Sequence, residues 1–159
     1  AHFWALRGPM ANYAKWYSGR KLSVGGNWTA LPVMPNELRG HAAFAQQVLS
    51  KSGLKISAAM RTHQLKLADR QCRMTELSFE LQNALVILIT SLYAADKDEI
   101  TRQAADGICR ELRRKITGAK PTDRDYRHIT DLGKRIAEDG WKELEGIQTP
   151  EIMMPYEKE

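Results

Sequence analysis

The stretch Asp98-Glu-Ile-Thr-Arg-Gln-Ala-Ala-Asp-Gly-Ile-Cys-Arg-Glu-Leu-Arg-Arg-Lys-Ile-Thr-Gly118 decides the fold. Ile100, Ala104, Ala105, Ile108, Leu112 and Ile116 recur at steps of three and four, which places them on one face of an α-helix. Asp96 or Asp98 stands where an N-cap belongs, and Gly118 stands where a left-handed C′ residue belongs. Arg110, Arg113, Arg114 and Lys115 gather near the negative pole of the helix dipole. Downstream, Pro121-Thr122-Asp123 opens another helix through Tyr126, Ile129, Leu132, Gly133, Ile136 and Ala137, which stops near Gly140.

Working upstream, Asn36 reads as an N-cap followed by Glu37 in the first turn. Leu38, Ala42, Ala45, Val48, Leu49, Ile56, Ala59 and Met60 then keep helical spacing, and Gly53 interrupts at a cost of only about 1 kcal/mol. A second pattern runs through Leu65, Ala68, Cys72, Leu77, Leu81, Ala84, Leu85, Leu88 and Leu92. One unbroken helix from Asn36 to Ala95 would be about 90 Å long at 1.5 Å per residue, so a break is expected near Thr62-His63-Gln64. Within the second pattern, Ala84-Leu85-Val86-Ile87-Leu88-Ile89 is apolar on every side and is expected to be the most buried segment.

The first 28 residues hold six of the twelve aromatics: Phe3, Trp4, Tyr13, Trp16, Tyr17 and Trp28. Met10, Tyr13, Ala14 and Tyr17 predict a short amphipathic helix with Pro9 at its start. Ser18-Gly19, Gly25-Gly26, Pro32 and Pro35 predict an extended connection over 18–35. The aromatics suit either a segment laid across something larger or a cover for one end of this domain's own core. The tail Pro150-Glu-Ile-Met-Met-Pro-Tyr156 predicts an extended strand of chain along a surface, and no stretch alternates at period two long enough for a sheet. The expected architecture is all-α: a four-helix bundle over 36–145, an aromatic N-terminal segment and connection over 1–35, and an extended tail over 146–159.

Composition narrows the function. With 43% hydrophobic and 27% charged residues in 159, the chain reads as one ordinary globular domain. The six-residue apolar run is far short of the roughly 20 residues of a membrane span, and no secretory signal opens the chain, so a cytoplasmic protein is expected. Cys72 and Cys109 do not make a disulfide framework; both lie in helical patterns beside core-type residues and read as small hydrophobes.

Catalytic patterns are missing from the sequence. His2, His41, His63 and His128 are singletons without metal-ligand spacing and read as surface or helix-end residues. There is no GxGxxG, GxxxxGK[ST] or GxSxG, and Glu76 and Glu80 beside Arg70 and Arg73 read as a charged helix face. The feature left is charge. Between Arg110 and Arg135 nine Lys or Arg stand against four Asp or Glu, which equals the whole formal net charge of +5. Arg110, Arg113, Arg114, Lys115, Lys120, Arg124 and Arg127 converge on the turn between the last two helices, as a solvated helix end or as a surface for anionic lipid, acidic side chains or phosphates. Nucleic acid is disfavoured, because aromatics are not interleaved with these basic residues.

Particular stretches carry a family resemblance. His63-Gln-Leu-Lys-Leu-Ala-Asp-Arg-Gln-Cys-Arg-Met-Thr-Glu-Leu-Ser78 leads into the Ala84–Ile89 run, followed by Cys109-Arg-Glu-Leu-Arg-Arg-Lys-Ile-Thr-Gly118, Pro121-Thr-Asp-Arg124 and Glu151-Ile-Met-Met154. From about Asn36 onward these resemble the C-terminal helical extension of the very-long-chain type acyl-CoA dehydrogenases. The resemblance implies an accessory bundle that packs on a preceding catalytic core of the same polypeptide and aids dimer or peripheral membrane association. That core would hold FAD and the catalytic glutamate, so no catalytic, cofactor-binding or metal-binding residue carries over to this sequence, and no cofactor is expected on this segment. Ala1 would begin an excised domain, and Trp4, Trp16 and Trp28 would be docking aromatics on the connection from the core. The competing expectation is a free-standing helical interaction module that receives a partner helix or an acidic peptide.

Overall fold

The computed structural model describes residues 2–22 and 30–146. Five α-helices follow one another: α1 His2–Leu22, α2 Asn36–His63, α3 Gln71–Tyr93, α4 Glu99–Thr117 and α5 Asp123–Asp139. No strand occurs among the described residues. The all-α expectation therefore holds at the level of class, with five helices rather than four. Packing is also graded: α3 packs most heavily on α2 and then on α4, α5 lies on α4, and α1 only leans on α2.

Local signals set most of the boundaries. The break falls where the length argument puts it: α2 ends at His63, Gln64 takes φ 45° and ψ −124°, and a 3₁₀ stretch Gln64–Arg70 leads into α3. Thus the pattern from Leu65 onward is α-helical only from Gln71. Asp98 caps α4, its carboxylate accepting from the Thr101 backbone N–H at 2.9 Å, and Gly118 closes it at φ 73°. Thr122 and Asp125 form a capping box at the start of α5, and Gly140 ends that helix. At α2 the expectation is corrected: Asn36 is already helical, Pro35 occupies the cap position, and no side chain caps the helix. Pro35 fixes the extended φ that a cap needs and supplies its carbonyl to Arg39 N–H at 2.9 Å.

The N-terminal segment also departs from expectation. The helix predicted around Met10–Tyr17 is a 21-residue helix that runs through Pro9 and takes in residues 18–22 of the expected extended connection. Pro9 leaves the Ala5 carbonyl without its intrahelical donor, which an exposed helix tolerates because water can reach it. Residues 30–35 are non-helical, as expected; the rest of the connection, with Trp28, and the tail 147–159 lie outside the described residues.

The core is small-sided. Met34, Leu38, Ala42, Ala94 and Ala105 make one cluster; Ala45, Ile87 and Cys109 make a second, and the half-buried Leu88 touches both. The apolar run 84–89 is not enclosed on all faces. Ala84 and Ile87 are fully buried, but Leu85, Val86 and Ile89 are 49%, 44% and 57% exposed. Successive residues differ by about 100° around a helix, so a single contact seam with α2 and α4 covers only one side of the run. The helical stretch Gln71–Asp96 is long and apolar enough to cross a membrane by length and composition, and 28% of its most apolar window is buried. Cys109 is buried, as its pattern suggests, whereas Cys72 is exposed, because the first turns of α3 lie beyond the seam.

Two stability measurements check this reading. Ile87→Ala, which empties a fully buried site, is expected to cost about 2–5 kcal/mol in denaturant unfolding. Gln64→Gly, which relieves a positive φ that a side chain resists, is expected to raise stability by about 1 kcal/mol.

Candidate functional site

The turn between α4 and α5 brings the basic residues together, and with them the carboxylates that neutralise them. Asp106, on α4, is the hub. It accepts from His41 Nε2 on α2 at 2.8 Å and from Arg110 Nε at 2.7 Å, and His128 Nε2 on α5 lies 3.6 Å from it. Arg113 Nη1 is 3.2 Å from His41 Nδ1, so the ring takes the tautomer that donates from Nε2 to Asp106 and accepts at Nδ1 from the guanidinium. The Arg113 guanidinium also lies over the Phe44 ring, 4.5 Å from its centroid. One chain of contacts thus links α2, α4 and α5.

Asp125 is a second hub. Its carboxylate accepts from the backbone N–H and hydroxyl of Thr122, both at 2.8 Å, and lies 3.2 Å from Arg114 and 3.8 Å from Arg110. Lys115 pairs with Glu111 one turn back at 2.7 Å. Of the seven expected site residues, Arg110, Arg113, Arg114 and Lys115 are therefore engaged inside the domain. Lys120, Arg124 and Arg127 make no ion pair among the described residues and form the outward-facing positive surface. A cavity of about 580 Å³ lies between the start of α2 and this turn, walled by Gly40, His41, Arg110, Arg113, Arg114 and Lys120, with Glu37, Asp106 and Asp125 supplying opposite charge.

Titration follows from these contacts. Burial works against the charge on Asp106, yet hydrogen bonds from His41 and Arg110 outweigh it and hold the carboxyl below its ordinary value. Asp125 is likewise held low, chiefly by its hydrogen bonds to Thr122. Burial pushes the Cys109 thiol up, so it stays protonated and packs as an apolar group. Among the described residues no group of three or more His, Cys, Asp or Glu is placed to hold a metal ion.

The histidine reading is corrected here. His41 is 4% exposed and His128 is half-buried against the Gln103 carbonyl at 3.3 Å, rather than both being surface residues. The signal that could have found His41 is its position one residue before Ala42 and three after Leu38 on the apolar face of α2. Its partner Asp106 is 65 residues away, which no local spacing reveals. Glu76 and Glu80 do belong to a charged helix face, paired with Arg73 at 2.8 Å and with Lys55.

A second feature lies at the other end of α2. Tyr13, Trp16 and Tyr17 of α1 meet α2. Trp16 lies over Gly53, where an added Cβ would sit 3.4 Å from its ring; Tyr13 pairs with Ser57; and Arg61 lies 4.5 Å from the Tyr17 ring centroid. Gly53 thus stays inside the helix and gives the indole a flat bed. Between the two helices opens an apolar groove of about 950 Å³, lined by Tyr13, Trp16, Ile56, Ser57, Met60 and Arg61. Trp4 is 71% exposed, touched by Arg7 at 4.5 Å, and Trp28 lies outside the described residues.

The Asp106 network predicts an acid-sensitive fold. A carboxyl held low when folded stabilises the protein above its unfolded pKa of about 3.9, and that stability is lost as pH falls through the lower folded value. Asp106→Asn should flatten the fall in thermal midpoint below about pH 4. Asp106→Ala, which leaves the buried His41 N–H without an acceptor, should cost about 1–3 kcal/mol at neutral pH. No family profile, curated protein or solved structure matches the chain.

Proposed function

We propose that this chain is the C-terminal accessory helical domain of an FAD-dependent acyl-CoA dehydrogenase of the very-long-chain type, packing on the catalytic core of the same polypeptide. Besides the sequence resemblance, one observation supports the reading most: from Trp4 to Leu22, α1 exposes nearly every residue, with Trp4 and Met10 at 71% and 57%. A helix of this length gains most of its stability from tertiary packing, and among the described residues α1 packs on α2 alone, through Tyr13, Trp16 and Tyr17. Its remaining aromatic and apolar side chains suit a neighbour outside the described residues, the place where a core would sit.

On this reading the chemistry belongs to the core, where a proton and a hydride leave the two carbons next to an acyl-CoA thioester and FAD takes the hydride. The present segment binds no cofactor; it covers and orients. Lys120, Arg124 and Arg127 give it an anionic-surface contact of about 1 kcal/mol per residue, in keeping with peripheral membrane attachment of a cytoplasmic enzyme. Homodimer formation through the accessory domain belongs to the same proposal. A second reading, a free-standing interaction module, draws on the apolar groove between α1 and α2, whose Arg61 rim suits an acidic amphipathic helix.

The mass and bound chromophore of the native polypeptide that carries this sequence separate the two. A yellow flavoprotein several times heavier than 18.0 kDa, active in acyl-CoA oxidation, is expected. A colourless species of 18.0 kDa would sink the accessory-domain reading and leave the interaction module. Stoichiometric FAD on the isolated 159-residue chain would overturn both.

A further inference from the structure

The cavity beside the α4–α5 turn gathers more positive than negative charge. Glu37, Gly40 and His41 of α2 form one wall, Arg110, Arg113 and Arg114 of α4 form the other, and Lys120 on the turn completes it. Its volume of about 580 Å³ falls within the range of small-molecule sites. Two of its three carboxylates are committed: Asp106 takes Arg110 at 2.7 Å and Asp125 takes Arg114 at 3.2 Å. Arg113 and Lys120 have no carboxylate partner among the described residues, and Glu37 is the remaining acidic group in the lining.

Arg113 is held in place with most of its donors unused. Its guanidinium lies 4.5 Å from the Phe44 ring centroid, and Nη1 meets His41 Nδ1 at 3.2 Å. A guanidinium carries five N–H donors, and this is the one bond it makes among the described residues. The first turn of α2 adds to the field. No side chain caps its N-terminal N–H groups, which form the positive pole of the helix, and Asn36 and Glu37 of that turn line the cavity.

We propose that this cavity binds a phosphate group, as a phosphate monoester or a diphosphate, with the Arg113 fork and the Lys120 ammonium as its principal contacts. A planar fork matches two oxygens on one phosphorus, which a point charge does not. Asp106 and Asp125 already fix Arg110 and Arg114, so binding does not have to order those side chains. Glu37 opposes an anion, but it is exposed, where water and salt screen it. Soluble phosphate esters and phosphomonoester lipid headgroups share this chemistry. The inference is independent of what parent protein carries the domain.

Gly40 supplies the sharpest test. An added Cβ there meets nothing within 4 Å, and glutamate is a better helix former than glycine. Gly40→Glu is therefore expected to fold and to set a competing carboxylate in the cavity wall. Calorimetric and amide-NMR titration of the full 159-residue chain with pyrophosphate should show saturable single-site binding, with shifts gathered at Gly40, His41, Arg113 and Lys120. Arg113→Gln and Gly40→Glu should each weaken it about 10–100-fold, the scale of a lost charge-assisted hydrogen bond. Lys51→Gln, the same charge change as Arg113→Gln at an exposed site elsewhere on α2, should leave it unaltered. Vesicles of phosphatidylcholine with phosphatidic acid sort the source. Vesicle binding that pyrophosphate displaces and Gly40→Glu abolishes assigns a lipid headgroup; any other vesicle result, with pyrophosphate bound, assigns a soluble ester. No saturable pyrophosphate binding would overturn the proposal. So would binding that Arg113→Gln or Gly40→Glu leaves intact, or that Lys51→Gln weakens as much.

Discussion

The close approach of α2, α3 and α4 over small side chains is the constraint on which the rest depends. Ala42 and Ala45 of α2, Ala84 of α3, and Ala104 and Ala105 of α4 occupy the seam, with Leu38, Ile87 and Cys109 as its larger members. Alanine buries little apolar area by itself. What it permits is proximity, and dense packing then supplies dispersion contacts along the seam. Backbone and polar groups inside such a seam must find partners, since water is excluded. Ser91 donates to the Ile87 carbonyl at 2.7 Å, and His41 reaches Asp106, so that no buried side-chain polar atom lacks a partner among the described residues.

This seam also explains where the outward chemistry lies. A narrow contact uses one side of each helix, so α3 keeps a second apolar side and α1 is left with Trp4, Leu6 and Met10 outside. The Asp106 and Asp125 hubs, needed to tie α2, α4 and α5 together, absorb charge from Arg110 and Arg114. The positive surface is consequently narrower than the count of basic residues suggests. It is an edge made by Lys120, Arg124 and Arg127, beside an internal network that is structural.

Aromatic and aliphatic surfaces are distributed along the molecule in a way that separates two contacts. α1 and its groove lie at the Ser57–Arg61 end of α2, whereas the start of α2 lies against the α4–α5 turn. The outer face of α3 begins beside the first of these regions, where Glu80 pairs with Lys55, and ends at Tyr93, whose hydroxyl donates to Glu143. A domain organised this way presents side chains to neighbours on several sides while its own interior remains a thin alanine-rich layer.

The sequence by itself determined the presence of α2 to α5, the break between α2 and α3, and both ends of α4 and α5. Spacing at three and four marked α2 to α5, the length limit marked the break at Gln64, and Asp98, Gly118, Thr122 and Gly140 punctuate α4 and α5 through local hydrogen bonds and backbone geometry. These are legible because each depends on residues within one turn. The continuation of α1 through Pro9 was not legible, since proline usually opens a helix and only an exposed setting lets it sit within one. Tertiary structure alone decided which side of the Ala84–Ile89 run is covered, that His41 is buried on Asp106, and which basic residues pair with the carboxylates of α4 and α5. Each of those depends on a neighbour many residues away, and the choice among apolar sides or among carboxylates is made when helices meet.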